Sequence, residues 1–410
     1  MVGSVTVPGG NSGQQITYTF TTGAGLTVAQ QIAAALAAAN TAGTLSVTSS
    51  SSGGNIANPT NPSVTNELVL SGSNASSVPA GYGYVSNVAG GSSTINAASG
   101  TAILSSTGGG LFTETGPATI AAAGGNNVIS QTGAGAIDLA GGSGANTIIA
   151  AGTSGSIFGG IGTDVINASG SNETIVSTGT DTITTGSGTG DTVNGTGSVS
   201  LTFLGGSGTA TVLGGTGVNN VTAGSGGVVF GADAGSTSSV SAGTGTVTIF
   251  GAAGATMDLS GAGTATAAKP DYMVAGPGSE TLNAAGSTSN VWLSVNTTVS
   301  SSSVTMIAGS GNDTLIAGMA PGSVTMTGGS GSDAFVFFKQ AAGGAKDVIN
   351  NFTNNDSVFI EGYAAGSAAA LQAAATVGTG GVTLTLSDGT SVTFSNLTSA
   401  AQLSGKIQYG

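Results

Sequence analysis

The sequence contains no cysteine, no histidine and no arginine, and each absence excludes a class of chemistry. Without cysteine the chain can form neither a disulfide framework nor a thiol nucleophile. Without histidine it lacks the usual zinc ligand and the general base of Ser-His and Cys-His enzymes. Its positive charge comes from four lysines against 17 acidic residues. No basic patch can therefore form to bind nucleic acid or anionic lipid.

Charged residues make up only 5% of the 410 residues, and aromatic residues another 5%. No apolar run reaches the ~18 residues of a transmembrane helix, so we expect no membrane insertion. Glycine is abundant at 75 residues, while the hydrophobic content of 39% suffices for a core. The surface must then consist mainly of Ser, Thr, Asn and Ala. Such a surface repels neighbouring copies little, which suits a protein that packs against copies of itself.

Apolar residues recur through the middle of the chain at intervals of 8 to 11 residues, with Gly, Ser, Thr and Asn between them. A strand this short cannot bury its own apolar side, so only stacked coils can bury it. The period predicts an all-β fold, a right-handed parallel β-solenoid (β-roll) over residues 91–340, with these residues pointing inwards. They are Ile95, Ile103, Leu111, Ile120, Ile129, Ile137, Ile148, Ile157, Ile166, Ile175, Ile183 and Val193.

The period weakens over residues 231–275, where Lys269-Pro270-Asp271 predicts a bulge or an excursion from the coil. It returns further along, and the inward positions expected there are Leu282, Trp292, Met306, Leu315 and Phe335.

Residues 1–90 have a different pattern and predict a small α+β module. Residues 15–20 alternate like a half-buried strand, and further strands are expected at 45–47 and 67–70. A helix is expected to begin at Thr27, where Gln30 completes a capping box, and to end before Gly43. This module is either a cap on the open end of the solenoid or an assembly module through which copies of the chain polymerise.

Residues 341–410 predict a C-terminal capping region. An Ala-rich helix is expected near 367–375, followed by a hairpin of strands at 382–386 and 392–394.

Two segments match the calcium-binding repeat G-G-x-G-x-D-x-U-x, in which U is apolar, at every position. They are residues 159–167, with Gly159, Gly162 and Asp164, and residues 328–336, with Gly328, Gly331 and Asp333. A third segment, 308–316 with Asp313, departs only at its first glycine. Glycine lets the turn adopt left-handed conformations, and the carboxylate supplies the hard oxygen that calcium prefers.

The spacing of further polar residues supports metal sites between coils. In a two-sided roll, residues about 18 apart stack on the same edge. Asn146, Asp164 and Asp181 have this spacing, as do Glu173 and Asp191 on the other edge. We therefore expect Ca²⁺ at Asp164/Asp181, Glu173/Asp191 and Asp313/Asp333. Coils with Ala210 or Asn219 at the acidic position are expected to form turns without calcium.

The repeats, together with the pattern from Asp333 to Tyr409, resemble the RTX (repeats-in-toxin) proteins of bacterial type I secretion. The resemblance covers roughly residues 90–410, although this chain has fewer Asp residues than the family pattern. It implies a secreted protein, extracellular or at the cell surface, with an uncleaved C-terminal secretion signal. Residues 1–5 agree with this expectation, since they lack the charged and apolar regions of an N-terminal signal peptide.

Three functions are compatible with these features. The first is a calcium-stabilised, self-assembling structural protein of a surface layer, filament or biofilm matrix, whose partners are copies of itself and cell-surface polysaccharide. The second is an adhesin or an ice- or glycan-binding solenoid, which a long aligned rank of threonines would favour. The third is a polysaccharide-acting β-helix enzyme, which the missing arginine and the single tryptophan disfavour. We expect no enzymatic activity and assign no catalytic residues.

Overall fold

The computed structural model describes residues 3–9, 14–20, 23–73, 75–106, 108–261, 263–266, 269–295, 303–318, 322–340, 344–364 and 367–410. The chain is all-β, a parallel β-solenoid of about 16 turns with a small helical N-terminal region, which confirms the predicted fold class. It divides into two compact units, residues 1–211 (unit 1) and residues 212–410 (unit 2). Within the described ranges, no helix is long and apolar enough to cross a membrane.

Unit 1 combines an antiparallel hairpin and a helix with a series of short strands. Its elements are β1 (Gly3–Pro8), β2 (Gln15–Phe20), α1 (Gly23–Thr41), β3 (Leu45–Ser50), β4 (Gly54–Asn55), β5 (Thr65–Leu70), β6 (Ala75–Val78), β7 (Tyr84–Asn87), β8 (Ser93–Ala97), β9 (Ala102–Ser105), β10 (Gly110–Thr115), β11 (Ala118–Ala122), β12 (Asn127–Thr132), β13 (Ala136–Ala140), β14 (Thr147–Ala150), β15 (Ser154–Phe158), β16 (Val165–Ala168), β17 (Glu173–Val176), β18 (Thr180–Thr185), β19 (Asp191–Asn194) and β20 (Ser200–Leu204). Strand β21 (Ala210–Leu213) contains the unit boundary.

From β3 onwards the strands of unit 1 alternate between two parallel sheets, the even sheet and the odd sheet, named after their strand numbers. Each strand pairs with the strands two before and two after it, so that Ile148 lies beside Ile166 in the even sheet and Ile157 beside Ile175 in the odd sheet. One coil therefore consists of one even and one odd strand. The inward side chains form buried apolar stacks, as predicted for Ile148, Ile166 and Ile175.

Two of the predicted inward positions are wrong. Leu111 and Trp292 are exposed, and their neighbours Phe112 and Leu293 are buried instead. Successive side chains of a strand face opposite sides, so an error of one residue inverts the assignment. Both pairs consist of two apolar residues, and hydrophobicity alone cannot select between them.

The N-terminal hairpin and helix cover the outer face of the odd sheet of unit 1. Strands β1 and β2 pair antiparallel, and α1 follows them. Phe20, Ile32 and Leu36 form one apolar cluster with Leu104 and Ala121 of the sheet. This part of the chain therefore packs on the side of the coils. The helix begins at Gly23, before the predicted Thr27, whose Oγ1 donates to the carbonyl of Gly23 inside the helix.

The coils begin earlier than the sequence predicts. Strand β3 pairs in parallel with β5, and β5 with β7, as members of the odd sheet. The α+β part of residues 1–90 is thus confined to the segment up to about residue 43, where Gly43 ends the helix with a φ of 67°. These first coils were missed because the row that leads to the later isoleucines contains Thr48, Leu68 and Val85 at irregular intervals, where the later coils contain regularly spaced isoleucine.

Unit 2 consists of the same kind of coil and ends in a mixed segment. Its elements are β22 (Val218–Thr222), β23 (Val228–Gly231), β24 (Thr237–Ser241), β25 (Val247–Phe250), β26 (Thr256–Gly261), β27 (Asp271–Ala275), β28 (Ser279–Ser287), β29 (Val291–Val295), β30 (Ser303–Ile307), β31 (Thr314–Ala317), β32 (Ser323–Thr327), β33 (Ala334–Phe338), β34 (Lys346–Asn350), β35 (Ser357–Glu361), α2 (Ala368–Ala373), β36 (Thr376–Gly378), β37 (Gly381–Thr385), β38 (Ser391–Phe394), a 3-10 helix (Ala400–Leu403) and β39 (Ile407–Tyr409).

The even sheet of unit 2 contains β22 to β34 with even numbers and then β38, and its odd sheet contains β23 to β35 with odd numbers and then β39. The coils thus extend past residue 340 to the C-terminus. The predicted hairpin is confirmed, since β37 and β38 pair antiparallel, and so is the predicted helix, α2. The predicted excursion is also present: Thr266 and Lys269 form an isolated bridge between β26 and β27.

Candidate functional site: a ladder of buried carboxylates and amides

Many strands begin with an acidic residue or an asparagine two positions before the first inward apolar residue, as in Asp164-Val165-Ile166. Because side chains alternate along a strand, the polar side chain points to the same side as the apolar one. Asp164, Asp181, Glu173 and Asp191 are consequently buried. These residues stand where the turn enters the strand, inside the solenoid.

In unit 1, four of these polar side chains accept a hydrogen bond from the backbone of the preceding coil; they are Asn146, Asp164, Asp181 and Asp191. The N–H of Asn127 donates to Oδ1 of Asn146 at 3.1 Å, the N–H of Asn146 to Oδ1 of Asp164 at 2.8 Å, and the N–H of Asp164 to Oδ1 of Asp181 at 2.9 Å. In the odd sheet, the N–H of Glu173 donates to Oδ1 of Asp191 at 3.1 Å. We call each such series a ladder and each side chain a rung.

Unit 2 contains a ladder of the same geometry. The N–H of Val291 donates to Oδ1 of Asp313 at 2.7 Å, that of Asp313 to Oδ1 of Asp333 at 3.0 Å, and that of Asp333 to Oδ1 of Asp356 at 3.0 Å. The structure therefore brings Asp313 and Asp333 together on neighbouring coils, as it does Asp164 with Asp181 and Glu173 with Asp191. In each pair the bonded groups are a backbone N–H and a side-chain oxygen.

An amide rung and a carboxylate rung differ in how completely they are hydrogen bonded. The Nδ2 group of Asn146 donates to the carbonyls of Gly144 at 3.0 Å and Gly159 at 3.1 Å, and to Oδ1 of Asp164 at 2.8 Å. Oδ2 of Asp164, Oδ2 of Asp191 and both carboxylate oxygens of Glu173 are buried and have no hydrogen-bond partner among the described residues. A buried oxygen in this state requires a proton, a water or a cation.

Other carboxylate rungs are satisfied by the protein itself. Ser177 Oγ donates to Oδ2 of Asp181 at 2.6 Å, and the N–H of Gly309 donates to Oδ2 of Asp313 at 3.1 Å. The predicted sites are therefore not equivalent. Asp164, Glu173 and Asp191 have unused oxygens, whereas both oxygens of Asp181 and of Asp313 are occupied by hydrogen bonds.

The repeat glycines make room for these carboxylates and for the neighbouring coils. A Cβ on Gly159 would lie 2.6 Å from Oδ2 of Asp164, and a Cβ on Gly328 would lie 2.5 Å from Oδ2 of Asp333. Gly331 has a φ of 136°, which side chains rarely tolerate. The carbonyl of Gly162 accepts from the N–H of Thr180 in the next coil at 3.2 Å. Glycine is thus required at the ladder by geometry, with or without a metal.

Burial raises the pKa of the ladder carboxyls because it disfavours their charged form. It raises the pKa of Asp164 to about 6 and that of Asp313 to about 6. The pKa of Glu173 rises to about 7, through burial first and then through the charge of Asp191. Burial also raises the pKa of Asp191, and it raises that of Asp333 to about 7. In the folded chain these groups therefore keep their protons to a higher pH than ordinary carboxyls do.

Sequence reasoning missed several rungs. They are Asp271, Asp347 and Asp356, all two residues before a buried apolar residue. The signal that identifies them is this short spacing alone, because most of their turns lack the complete glycine repeat. Asn219 hydrogen bonds within its own turn, as predicted: its Oδ1 accepts from the N–H of Gly215 at 2.8 Å, and its amide donates to the carbonyl of Gly215 at 3.0 Å.

Two further buried carboxyls have no counterpart in the repeat. Glu67 Oε1 accepts from Ser86 Oγ at 2.5 Å, and Glu114 Oε1 accepts from the N–H of Thr101 at 2.8 Å. Burial raises their pKa to about 7 and about 8, respectively. No sequence signal distinguishes these two residues from exposed glutamates.

The ladder supplies oxygen ligands, the type that calcium prefers, but fewer of them than calcium binds. Calcium takes six to eight oxygen ligands. The free oxygens of Asp164, Glu173 and Asp191 are of the right type, and the turns add carbonyl oxygens. Across the described ranges, however, no three acidic side chains lie close enough together to hold a metal ion. A cation here would be held by one or two carboxylates and completed by turn carbonyls and water.

Comparison with known proteins finds no matching family model, no similar curated protein and no similar solved structure. The resemblance to the RTX family therefore rests on the repeats of this sequence and stays a prediction.

Proposed function

We propose that this chain is a secreted, calcium-stabilised structural protein that assembles outside the cell into a surface layer, a filament or a biofilm matrix. The observation that carries the proposal is the set of buried, unpartnered carboxylate oxygens at Asp164, Glu173 and Asp191. Calcium, when bound, supplies the positive charge that these oxygens lack. Extracellular calcium modules bind at about 10⁻⁴–10⁻³ M, so such sites would be empty in the cytosol and filled after export.

The surface composition supports assembly with other copies. The solenoid strands expose mainly Thr, Ser, Asn and small apolar side chains, and charged residues are only 5% of the chain. Large flat faces of this kind oppose association weakly. The apolar side of the N-terminal hairpin and helix is already packed on unit 1, so only their outer side is available for contacts with another copy.

Electron microscopy of negatively stained full-length protein, in millimolar calcium and in chelator, tests this proposal. We expect ordered filaments or sheets in calcium and single particles in chelator. Identical single particles in both conditions, with unchanged circular dichroism, would refute it.

A rank of threonines favours a second candidate function, binding of a glycan or of ice. Five threonines of the even sheet of unit 2 lie in register on consecutive coils, about 4.8 Å apart. They are Thr237, Thr256, Thr281, Thr305 and Thr325. Their hydroxyls have no hydrogen-bond partner in the described part of the chain. Thr256, Thr281 and Thr305 also line a groove of about 200 Å³ together with Ser279 and Ser303.

Co-sedimentation with insoluble polysaccharides and a thermal-hysteresis measurement test this second function. We expect the native chain to bind one of these surfaces and the double variant Thr281→Lys, Thr305→Lys to lose the binding. A matched double variant on the even sheet of unit 1, Thr147→Lys, Thr182→Lys, should retain it. A native chain that binds neither polysaccharide nor ice removes this candidate.

A further inference from the structure

The turn between β37 and β38 brings a second carboxylate next to Asp347, a rung of the even sheet of unit 2. Gly389, with a φ of 88°, follows Asp388 in this turn. Strand β38 pairs in parallel with β34, and the N–H of Ser391 donates to the carbonyl of Ala345 at 2.9 Å. The turn is therefore fixed beside β34, where the charge of Asp388 acts on Asp347.

Three hydrogen bonds hold Asp388 in its ionised form. Its Oδ2 atom accepts from the N–H of Gln340 at 3.0 Å and from the hydroxyl of Tyr363 at 2.7 Å, and its Oδ1 atom accepts from the N–H of Thr390 at 2.9 Å. Burial acts to raise the pKa of Asp388, but these hydrogen bonds outweigh it and leave that pKa below its usual value. Burial and the Asp388 carboxylate raise the pKa of Tyr363, so its phenol keeps the proton that it donates.

Two oxygens near Asp388 are buried and have no hydrogen-bond partner among the described residues, Oδ2 of Asp347 and Oγ1 of Thr390. Asp347 is 1% exposed, and its other oxygen, Oδ1, accepts from the N–H of Val324 at 2.9 Å. Thr390 is 2% exposed, and its hydroxyl lies beside the side chains of Asp388 and Tyr363. Buried polar atoms of a folded protein normally have a partner, so these two oxygens indicate one that the described residues do not supply.

The lysines nearest in the sequence do not neutralise the two carboxylates. Lys346 precedes Asp347 in the same strand, so its side chain points to the opposite side, and it is exposed. Lys339 is also exposed, and Lys406 donates to a backbone carbonyl before β35. Burial first, and then the charge of the neighbouring carboxylate, raise the pKa of Asp347 to about 6. Above pH 7 both carboxyls are therefore ionised, and a shared proton does not balance their charge.

We propose that Asp347, Asp388 and Thr390 form a calcium site that ties the β37–β38 turn to strand β34. The site presents oxygen atoms only, from two carboxylates and a hydroxyl, and calcium prefers such ligands. Calcium also accepts a flexible ligand geometry, whereas magnesium demands a near-ideal octahedron. A cavity of about 280 Å³ adjoins the turn at Leu386 and Ser387 and gives room for the water ligands that complete the set.

This site is separate from the ladder sites and does not depend on the proposed assembly. A cation in the ladder would lie between two successive coils, at side chains such as Asp164. Here the cation lies between a coil and a hairpin turn, because Asp388 comes from the turn and Asp347 from the coil. Bound calcium would therefore fix the C-terminal hairpin to β34 even in a chain that stays monomeric.

Terbium luminescence tests this site, because Tb³⁺ replaces Ca²⁺ at oxygen sites and a tyrosine in contact with the site sensitises its emission. Tyr363 is in contact through its hydrogen bond to Asp388. The sequence contains no tyrosine or tryptophan in residues 85–271, so Tb³⁺ at the ladder carboxylates of unit 1 gives no comparable signal. We expect the native full chain to show tyrosine-sensitised emission, and calcium to displace it at about 10⁻⁴–10⁻³ M.

Three variants locate the ion. Asp347→Asn keeps the oxygen that accepts from Val324 and should weaken the affinity for Tb³⁺ and for calcium by about tenfold or more. Thr390→Val removes only a hydroxyl that has no partner, so it should preserve the fold, verified by circular dichroism, and also weaken both affinities. Tyr363→Phe should lose the sensitised emission, because it removes the sensitiser.

Two matched controls replace carboxylates elsewhere in the chain. Asp233→Asn changes a half-buried carboxylate in the turn before β24, and Asp164→Asn changes a rung of unit 1. Both should show the native emission and the native displacement by calcium.

The inference is overturned if the native chain shows no sensitised emission that calcium displaces. It is also overturned if Asp347→Asn and Thr390→Val bind Tb³⁺ as tightly as the native chain, or if Tyr363→Phe keeps the full emission. If these variants behave as expected while Asp164→Asn responds to calcium exactly as the native chain does in its thermal midpoint, the ladder part of the proposed function fails and this site stands. If the emission is absent while Asp164→Asn loses a calcium response of the native chain, the ladder stands and this site fails.

Discussion

The two units contain ladders that differ in their side chains. In the even sheet of unit 1 the ladder starts with an amide rung, Asn146, before it reaches Asp164. In the odd sheet of unit 2, three consecutive rungs, Asp313, Asp333 and Asp356, are carboxylates. An amide supplies the donor that a carboxylate must obtain from a proton, a cation or a neighbouring group. A coil with an amide rung therefore contains the donor that it needs. A coil with a carboxylate rung depends on a proton, a cation or a neighbouring donor.

The outer faces of the two odd sheets differ in a related way. In unit 1 a hairpin and a helix of the chain itself cover the apolar row around Leu104 and Ala121, and in unit 2 Phe250 and Trp292 remain exposed. Burial of an apolar side chain contributes about 1.5–3 kcal/mol to folding. Leu104 and Ala121 of unit 1 contribute this free energy in full, whereas the exposed Phe250 and Trp292 of unit 2 contribute less of it.

The largest loss of stability is expected when the N-terminal helix no longer packs on the odd sheet of unit 1. Leu36 of α1 is buried against the odd sheet. Leu36→Asp should lower the free energy of unfolding by about 3–5 kcal/mol, because it removes apolar burial and buries a carboxylate without a partner. The measurement is urea unfolding followed by circular dichroism. Ala34→Asp, on the exposed side of the same helix, is the control and should change stability by less than about 0.5 kcal/mol. Equal stability of the two variants would show that the cover contributes nothing.

Exchanging carboxylates for amides should change stability in opposite directions at two rungs. At Asp164 the unpartnered Oδ2 would be replaced by a donor, as at Asn146, so Asp164→Asn should stabilise the chain in chelator by about 1–2 kcal/mol and reduce its response to calcium. At Asp313 the Oδ2 atom accepts from Gly309, so Asp313→Asn would place donor against donor and destabilise by about 1–2 kcal/mol. Chemical unfolding in chelator measures both. If Asp164→Asn and Asp313→Asn changed stability in the same direction, the difference between these two rungs would be contradicted.

The pH dependence of stability should distinguish carboxylate rungs from amide rungs, since only the carboxylates titrate. Burial raises the pKa of Asp164 to about 6 and that of Asp333 to about 7, whereas unfolded carboxyls titrate near about 4. Between these values the folded chain binds more protons than the unfolded chain, so stability falls as the pH rises from about 4 to about 7. Thermal unfolding in chelator at pH 4.5, 6 and 7.5 should show falling midpoints. Calcium should flatten this slope, and a midpoint that rises with pH would contradict the burial of these groups.

The sequence predicted the solenoid because inward isoleucines such as Ile148 and Ile166 repeat with the coil, and this period depends on neighbouring coils alone. It did not predict which of two adjacent apolar residues faces inwards at Leu111 or Trp292, because that depends on strand register. It placed the carboxylates of Asp164 and Asp181 on one edge but did not show that their oxygens bind backbone N–H groups. The position of the N-terminal helix on the side of unit 1 depends on long-range packing, which no local pattern encodes.

Calorimetric titration of calcium into the chelator-treated full chain at pH 7.5, with the thermal midpoint measured at the same calcium concentrations, tests the central claim most directly. We predict saturable binding at about 10⁻⁴–10⁻³ M and a midpoint that rises over the same range. In Asp164→Asn both responses should be smaller. A titration without heat, together with a midpoint that calcium leaves unchanged, would contradict the claim that the buried carboxylates of the ladder hold calcium.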